Sequence, residues 1–252
     1  MTDSNELDRK LLGYLRASAQ RGPSGERSGA FVITFNREDD NPYLNYAIPD
    51  DGADPTPSDI AALIEVFEKR QRKPRLEYMP GAAPKLEAAL LAQGFQTEAR
   101  VPVMLCTPAM PVIMPETTGL EIITATADED LVAAELSQAE AYDSPSHGPA
   151  GLKRTLKLGG VVAAARDIPS GVIIGAGVAT PPLDGVTEIA GIGVRPSHRR
   201  RGAAGAMTAL LTREAFAKGI TLAWLTPGSV EAERIYARAG YVVASEALHI
   251  SR

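Results

Sequence analysis

The chain repeats itself. The order of secondary-structure signals that closes its first half also closes its second, and a shift of 146 or 147 residues lays one on the other. Gly94-Phe95 falls on Gly240-Tyr241, residues 84–92 on 230–238, and Ala47-Ile48-Pro49 on Val194-Arg195-Pro196. A repeat at fixed spacing means one supersecondary unit used twice, so the chain reads as two related modules, the first of them partial.

A length of 252 residues fits one large domain or two small ones. Pro, Gly and Ser cluster at 18–29 and again at 107–119, where turn residues break regular structure. The second cluster reads as a linker, which sets the first module at 1–110, the linker at 111–118 and the second module at 119–252. Apolar periodicity and flanking turn residues predict helices over 6–19, 59–72, 84–92, 129–142, 202–217 and 230–238. Strands are expected over 31–36, 43–49, 75–79, 95–105, 120–125, 160–166, 172–180, 187–194, 221–226 and from 241 towards 250.

Hydrophobic residues make up 44% of the chain and charged ones 23%, which is ordinary globular composition. No apolar run approaches the ~18 residues of a bilayer-spanning helix. The start, MTDSNELDRK, is acidic and polar where a secretory signal needs positive charge and a continuous apolar stretch, so a soluble, cytoplasmic protein is expected. A single cysteine, Cys106, excludes an intramolecular disulfide framework, and three dispersed histidines (His147, His198, His249) make no metal-binding pair. No metal is expected. A net charge of −5 disfavours a nucleic-acid binder, which needs a broad basic surface.

The stretch most informative about chemistry is EIAGIGVRPSHRRRGAAGAM, residues 188–207. A β-rich run stops at Pro196, and a helix begins near Gly202. Between them stand Arg199, Arg200 and Arg201, followed by the small residues Gly202, Ala203, Ala204, Gly205 and Ala206. Small side chains let backbone N–H groups approach a ligand, and the exposed amides and dipole of a helix start attract anions. The stretch reads as a pyrophosphate cradle. Gly191 and Gly193 fit a bulge where a ligand meets the strand backbone.

With its preceding Val194-x-Pro196, the run Arg199-x-x-Gly202-x-Ala204 resembles the acyl-coenzyme A signature of the GCN5-related N-acetyltransferases (GNAT), V-x-P-x-x-R-x-x-G-x-G/A. Downstream, SVEAERIYARAGY at 229–241 resembles the family's N-x-x-A-x-x-x-Y-x-x-x-G-F segment, agreeing at Ala232, Tyr236 and Gly240. Ser229 stands where Asn is common. The resemblance covers about 120–252 strongly and the first half faintly. It implies an α/β (α+β) GNAT fold with a mixed, mostly antiparallel central sheet flanked by helices, and an enzyme that transfers an acetyl group from acetyl-coenzyme A to an amine by direct attack. Ile192 and Val194 would then meet the pantetheine arm with their backbone. Arg199, Arg200, Arg201, Gly202, Ala203 and Ala204 would hold the pyrophosphate, and Ser229 would contact pantetheine.

The same resemblance gives Tyr236 the position of the acid that reprotonates the leaving thiolate, a role suited to a phenol. Glu188 is the nearest acidic residue on the strand and the candidate base, while Val194 N–H is the candidate donor to the developing oxyanion. The loop at 139–151 falls where the family places its acceptor side, so Tyr142, Asp143 and His147 are candidate acceptor contacts. The acceptor would be a small-molecule amine or a protein or peptide amine, and the protein a monomer or homodimer. At the equivalent turn of the first module the shift places Asp50, Asp51, Asp54 and Pro55, and Leu90 replaces Tyr236. That module should not bind coenzyme A. Two further readings stand beside the enzyme: a non-catalytic sensor or scaffold for acyl-coenzyme A, and a nucleic-acid binder using Arg195 and Arg199 to Arg201, which the overall acidity disfavours. A dinucleotide fingerprint fails at 175–180, where two prolines follow in place of a helix.

Overall fold

The computed structural model describes residues 4–22, 25–36 and 40–252. Its first half runs α1 (Ser4–Arg21), β1 (Gly25–Ser28), β2 (Phe31–Thr34), β3 (Tyr46–Pro49), α2 (Pro57–Glu68), β4 (Arg75–Tyr78), α3 (Leu86–Ala92) and β5 (Gln96–Cys106). The second half runs β6 (Leu120–Thr124), α4 (Asp128–Ala141), α5 (Ala150–Lys157), β7 (Val161–Asp167), β8 (Ile173–Ala179), β9 (Val186–Val194), α6 (Ala203–Ala217), β10 (Leu222–Leu225), α7 (Val230–Ala239) and β11 (Val242–Ser251). Two compact units emerge: residues 1–103 with 244–252, and residues 104–243. Each unit takes a strand segment from the other half of the sequence. Among the described residues no helix is long and apolar enough to cross a membrane.

In the first unit the strand order is β1-β2-β3-β4-β11-β5, with β3 and β4 parallel through Ala47 and Leu76. α2 forms because Thr56 and Asp59 make a reciprocal capping box, Pro57 sits in the first turn, and Ile60, Leu63, Ile64 and Phe67 bury one face. Beneath β4 lies a charged cluster. Arg75 is fully buried and pairs with Glu98 at 2.8 Å and with Glu77, and Glu98 also accepts from Lys73 at 2.9 Å and from Ser251 at 2.6 Å. Burial alone would raise the Glu98 carboxyl, but these hydrogen bonds outweigh it and hold the group at about 2. A carboxylate lowered in the folded state stabilises the fold above its unfolded value and loses that contribution as pH falls through its folded one. The first unit should therefore lose stability between pH about 4.5 and about 2, as read by amide exchange in β4. Glu98→Gln should remove that acid-sensitive component and lower stability at neutral pH.

The second unit orders its strands β5-β10-β9-β8-β7-β6, antiparallel except for the parallel pair β9–β10. Alternation along β7 shows both faces at once. Val161, Ala163 and Ala165 join Met207 and Leu211 of α6 in one core cluster, while Val162 and Ala164 join Leu131 and Ala134 of α4 and Leu152 of α5 in another. Each fully buried Leu or Met contributes roughly 1.5–3 kcal/mol through burial. Two glycines of β8 leave room for the neighbouring strand β9. A Cβ on Gly177 would lie 2.2 Å from Ile192 Cδ1, and one on Gly175 2.7 Å from Gly193 O.

The repeat is structural. Both halves of the sequence run parallel strand pair, helix and strand in one order: β3, α2, β4, α3, β5 in the first and β9, α6, β10, α7, β11 in the second. Three local expectations need correction. The 18–29 cluster, whose Pro23 and Ser24 lie outside the described residues, continues α1 to Arg21 and then forms β1, paired to β2. The strand expected from 43 starts at Tyr46, because Asn41 caps a 3-10 turn at Pro42–Leu44. The stretch after 149, expected to be loop or unassigned, forms α5, since Pro149 opens a helix that buries Leu152.

Candidate functional site

The site in the second unit begins with a strand pair that ends early. β9 and β10 pair from Val186–Leu222 to Glu188–Trp224, and the next β10 residue, Leu225, pairs with Met104 of β5. Residues 189–194 of β9 continue without β10 beside them. At the strand's end, Arg195 N–H donates to Ile174 O of β8 at 2.8 Å. Successive amides of a strand point to opposite sides, so Val194 N–H faces the edge that β10 leaves open. The expected bulge lies in this stretch: the β8–β9 register shifts between Ala176 and Val178, and Gly191 has φ +61°.

After a 3-10 turn at Pro196–His198, Arg200 (φ +66°) and Gly202 (φ +82°) both adopt left-handed backbone. Gly202 is the N-cap of α6 and has no side chain to serve the first-turn amides. The first bond back to the cap comes from Ala206 N–H at 3.1 Å, which leaves Ala203, Ala204 and Gly205 N–H without acceptors inside the helix. Ala203 is buried, Ala204 half-buried and Gly202 exposed. The matching helix of the first unit is closed: the Thr56–Asp59 capping box fills the start of α2, Asp51 pairs with Arg16 at 2.9 Å and Asp54 with Lys85 at 2.6 Å.

The three arginines have separate positions. Arg199 Nε donates to Val194 O at 3.1 Å and its Nη2 to Ala141 O at 3.2 Å, bracing the end of β9 against α4. Arg201 Nη2 donates to Asp167 Oδ1 at 2.8 Å and to Gly119 O at 3.3 Å. Hydrogen bonds from Ser170 and then Arg201 hold the Asp167 carboxyl below its ordinary range. Arg200 is exposed beside the open helix start. The Pro-rich segment also borders this corner, since a Cβ on Gly202 would lie 3.0 Å from Glu116 O and one on Gly205 3.3 Å from Pro115 Cγ.

Tyr236 sits on α7, half-buried against the core cluster that includes Ile189. Burial first and the neighbouring Tyr142 second push its phenol up to about 12, so it is protonated at neutral pH. Glu188 occupies the last β9 position paired to β10, with its N–H on Thr180 Oγ1 at 3.0 Å. Because Ile189 faces the α6-side cluster, Glu188 projects from the α4 side. Ser229 is the N-cap of α7, its Oγ accepting from Ala232 N–H at 3.1 Å.

Tyr142 ends α4 with its hydroxyl donating to Ile192 O at 3.1 Å. Asp143 and His147 stand apart from it on the exposed loop. Asp143 has φ +50°, and His147 N–H donates to Glu135 Oε1 at 2.8 Å. Sequence reading missed the fastening of α4 to β9. Besides Tyr142 and Arg199, Gln138 Nε2 donates to Gly191 O at 2.7 Å and Arg195 pairs with Glu140. The available signal was weak: Gln138 and Tyr142 lie one turn apart on a single helix face.

Comparison with known proteins bears on this geometry. Residues 129–241 match the acetyltransferase (GNAT) family, and no curated protein matches the chain significantly. The chain is similar to a GCN5-related N-acetyltransferase from Kribbella flavida, with 28% identity over 97% of this chain and 95% of that one and a TM-score of 0.78. It shares its fold with a GCN5-related N-acetyltransferase from Sphaerobacter thermophilus (18% identity, 88% and 76% covered, TM-score 0.64). A tandem GNAT protein from the clavulanic acid biosynthesis pathway has the fold as well (14% identity, 93% and 86% covered, TM-score 0.60).

Proposed function

We propose, from the match of residues 129–241 to the acetyltransferase (GNAT) family, that the chain transfers an acetyl group from acetyl-coenzyme A to an amine by direct attack. The observation that carries this reading is the uncapped start of α6 next to the unpaired edge of β9. Such a corner supplies several N–H donors and a favourable dipole to a diphosphate, and left-handed residues at 200 and 202 add the concave amide arrangement that binds anions. The capped start of α2 supplies neither. One coenzyme site per chain is therefore expected, in the second unit.

Bound acetyl-coenzyme A would supply an acyl thioester, which an amine can attack without a covalent enzyme intermediate. Ala203, Ala204 and Gly205 N–H hold its pyrophosphate, with Arg200 beside them, while Ile192 and Val194 meet the pantetheine arm with their backbone and Ser229 lies at the start of α7. Val194 N–H is the donor for the charge that develops on the acyl oxygen. Glu188 Oε takes the proton from the ammonium form of the acceptor, directly or through water; as the C–N bond forms and the C–S bond breaks, Tyr236 Oη gives its proton to the departing sulfur and is restored by the proton that the acylated nitrogen sheds. Proton removal on the α4 side and proton delivery from α7 suit an acceptor entering beside Tyr142 and the 143–147 loop.

The test is release of free thiol from acetyl-coenzyme A in the presence of a panel of small and peptide amines. Amine-dependent release supports the transferase. Coenzyme binding with no release under any amine would leave a non-catalytic acyl-coenzyme A module and end the transferase reading.

A further inference from the structure

The last turn of α4 holds β9 by its carbonyls. Gln138 Nε2 donates to Gly191 O at 2.7 Å, and Tyr142 Oη, one turn later, donates to the next carbonyl, Ile192 O, at 3.1 Å. A carbonyl only accepts, so the amide nitrogen of Gln138 must be the atom that faces it. Every peptide bond among the described residues is trans, and in a planar trans peptide the C=O and the following N–H point in opposite directions. With Gly191 O turned towards α4, Ile192 N–H is turned away from it.

This orientation depends on the helix lying very close to the strand. A Cβ on Gly191 would fall 2.8 Å from Gln138 Nε2, and one on Gly193 would fall 2.9 Å from Ala141 Cβ and 3.2 Å from Tyr142 Cε2. Gly191 takes φ +61° at the bulge, a conformation that costs glycine little and other residues more. The two glycines admit α4, and the two donors then hold two successive peptides that glycine's freedom would otherwise leave loose: Gln138 the Gly191–Ile192 peptide and Tyr142 the Ile192–Gly193 peptide.

We propose that Gln138 is a positioning residue: through Gly191 O it fixes the rotation of the Gly191–Ile192 peptide and so the direction in which β9 presents its Ile192 amide to an acyl donor. The inference rests on the transferase reading for its catalytic consequence, but its structural part stands without it. Gln138 touches neither acceptor nor coenzyme. Coenzyme affinity is set mainly at the start of α6, and Gln138 acts on the rate.

The experiment compares wild type with Gln138→Leu and Gln138→Glu. Both variants should lower kcat roughly 10- to 100-fold, the scale of a misplaced reacting geometry, and leave the coenzyme A dissociation constant within a factor of about three. Gln138→Glu adds a signature that packing alone does not produce. Its carboxylate repels Gly191 O at neutral pH, and its protonated form can donate. The ratio of Gln138→Glu to wild-type kcat should therefore rise as pH falls from about 8 towards the carboxyl range near 4–5, while the ratio for Gln138→Leu stays flat. Wild-type kcat in both variants, or equal losses with parallel pH profiles, overturns the proposal. A second readout needs no turnover. In protein carrying 15N-isoleucine, the Ile192 amide resonance should shift, and its hydrogen exchange accelerate, in Gln138→Leu relative to wild type. An inactive wild type would sink the transferase reading alone; an unchanged Ile192 amide would sink this one.

Discussion

Replacing Tyr236 with phenylalanine is expected to lower kcat roughly 10²- to 10⁴-fold, the range for losing a general acid, while coenzyme A binds nearly as before. The substitution removes one oxygen and keeps the ring that packs against the core cluster, so a fold defect does not explain such a loss. Burial, with Tyr142 next, raises the phenol to about 12, which keeps it protonated and uncharged through the neutral range. The alkaline limb of the pH–rate profile should then reflect some other group until pH nears that value. Stopped-flow measurement of thiol release, alongside calorimetry with coenzyme A, separates the two parts of the prediction. Equal loss of affinity and rate would make Tyr236 a binding residue, and an unchanged rate would remove it from the chemistry.

The second large effect comes from Ala204→Asp. Ala204 lies in the first turn of α6, half-buried, where a carboxylate would take the place proposed for the pyrophosphate. Coenzyme affinity should fall at least about 100-fold, because fixed negative charge then meets the diphosphate in a sheltered geometry. Stability should move the other way. An acidic residue in a first turn interacts favourably with the helix dipole by ~0.3–1 kcal/mol. Weaker binding in a protein that melts no lower than wild type is a combination that general damage cannot produce. If affinity holds, the helix start is not the anion site.

The backbone geometry of the proposed coenzyme corner was legible because it is local. A strand stopped by Pro196 and a helix opened by Gly202 announce themselves in adjacent residues, and the bulge at Gly191 needs a residue that tolerates φ +61°. The duplicated architecture was legible for the same reason, from turn residues spaced alike in both halves. The arginines were not. Side by side in the sequence, they part in space: Arg199 braces β9 on α4, Arg201 pairs with Asp167, and Arg200 is exposed two residues before the α6 N-cap. Which partner an arginine takes depends on elements distant in sequence. The fastening of α4 was hidden likewise, since Gln138 and Tyr142 reach carbonyls 53 and 50 residues away, and a carbonyl belongs to every residue. β1 and α5 escaped because turn residues before each masked short elements whose stability comes from pairing and packing.

The most direct test is a crystal structure of the chain grown with coenzyme A. Phosphate oxygens within hydrogen-bonding distance of the Ala203, Ala204 and Gly205 amides, with the start of α2 bare, is the predicted result. A coenzyme seated elsewhere, or that turn closed by residues 115–117 while ligand occupies another surface, would contradict it.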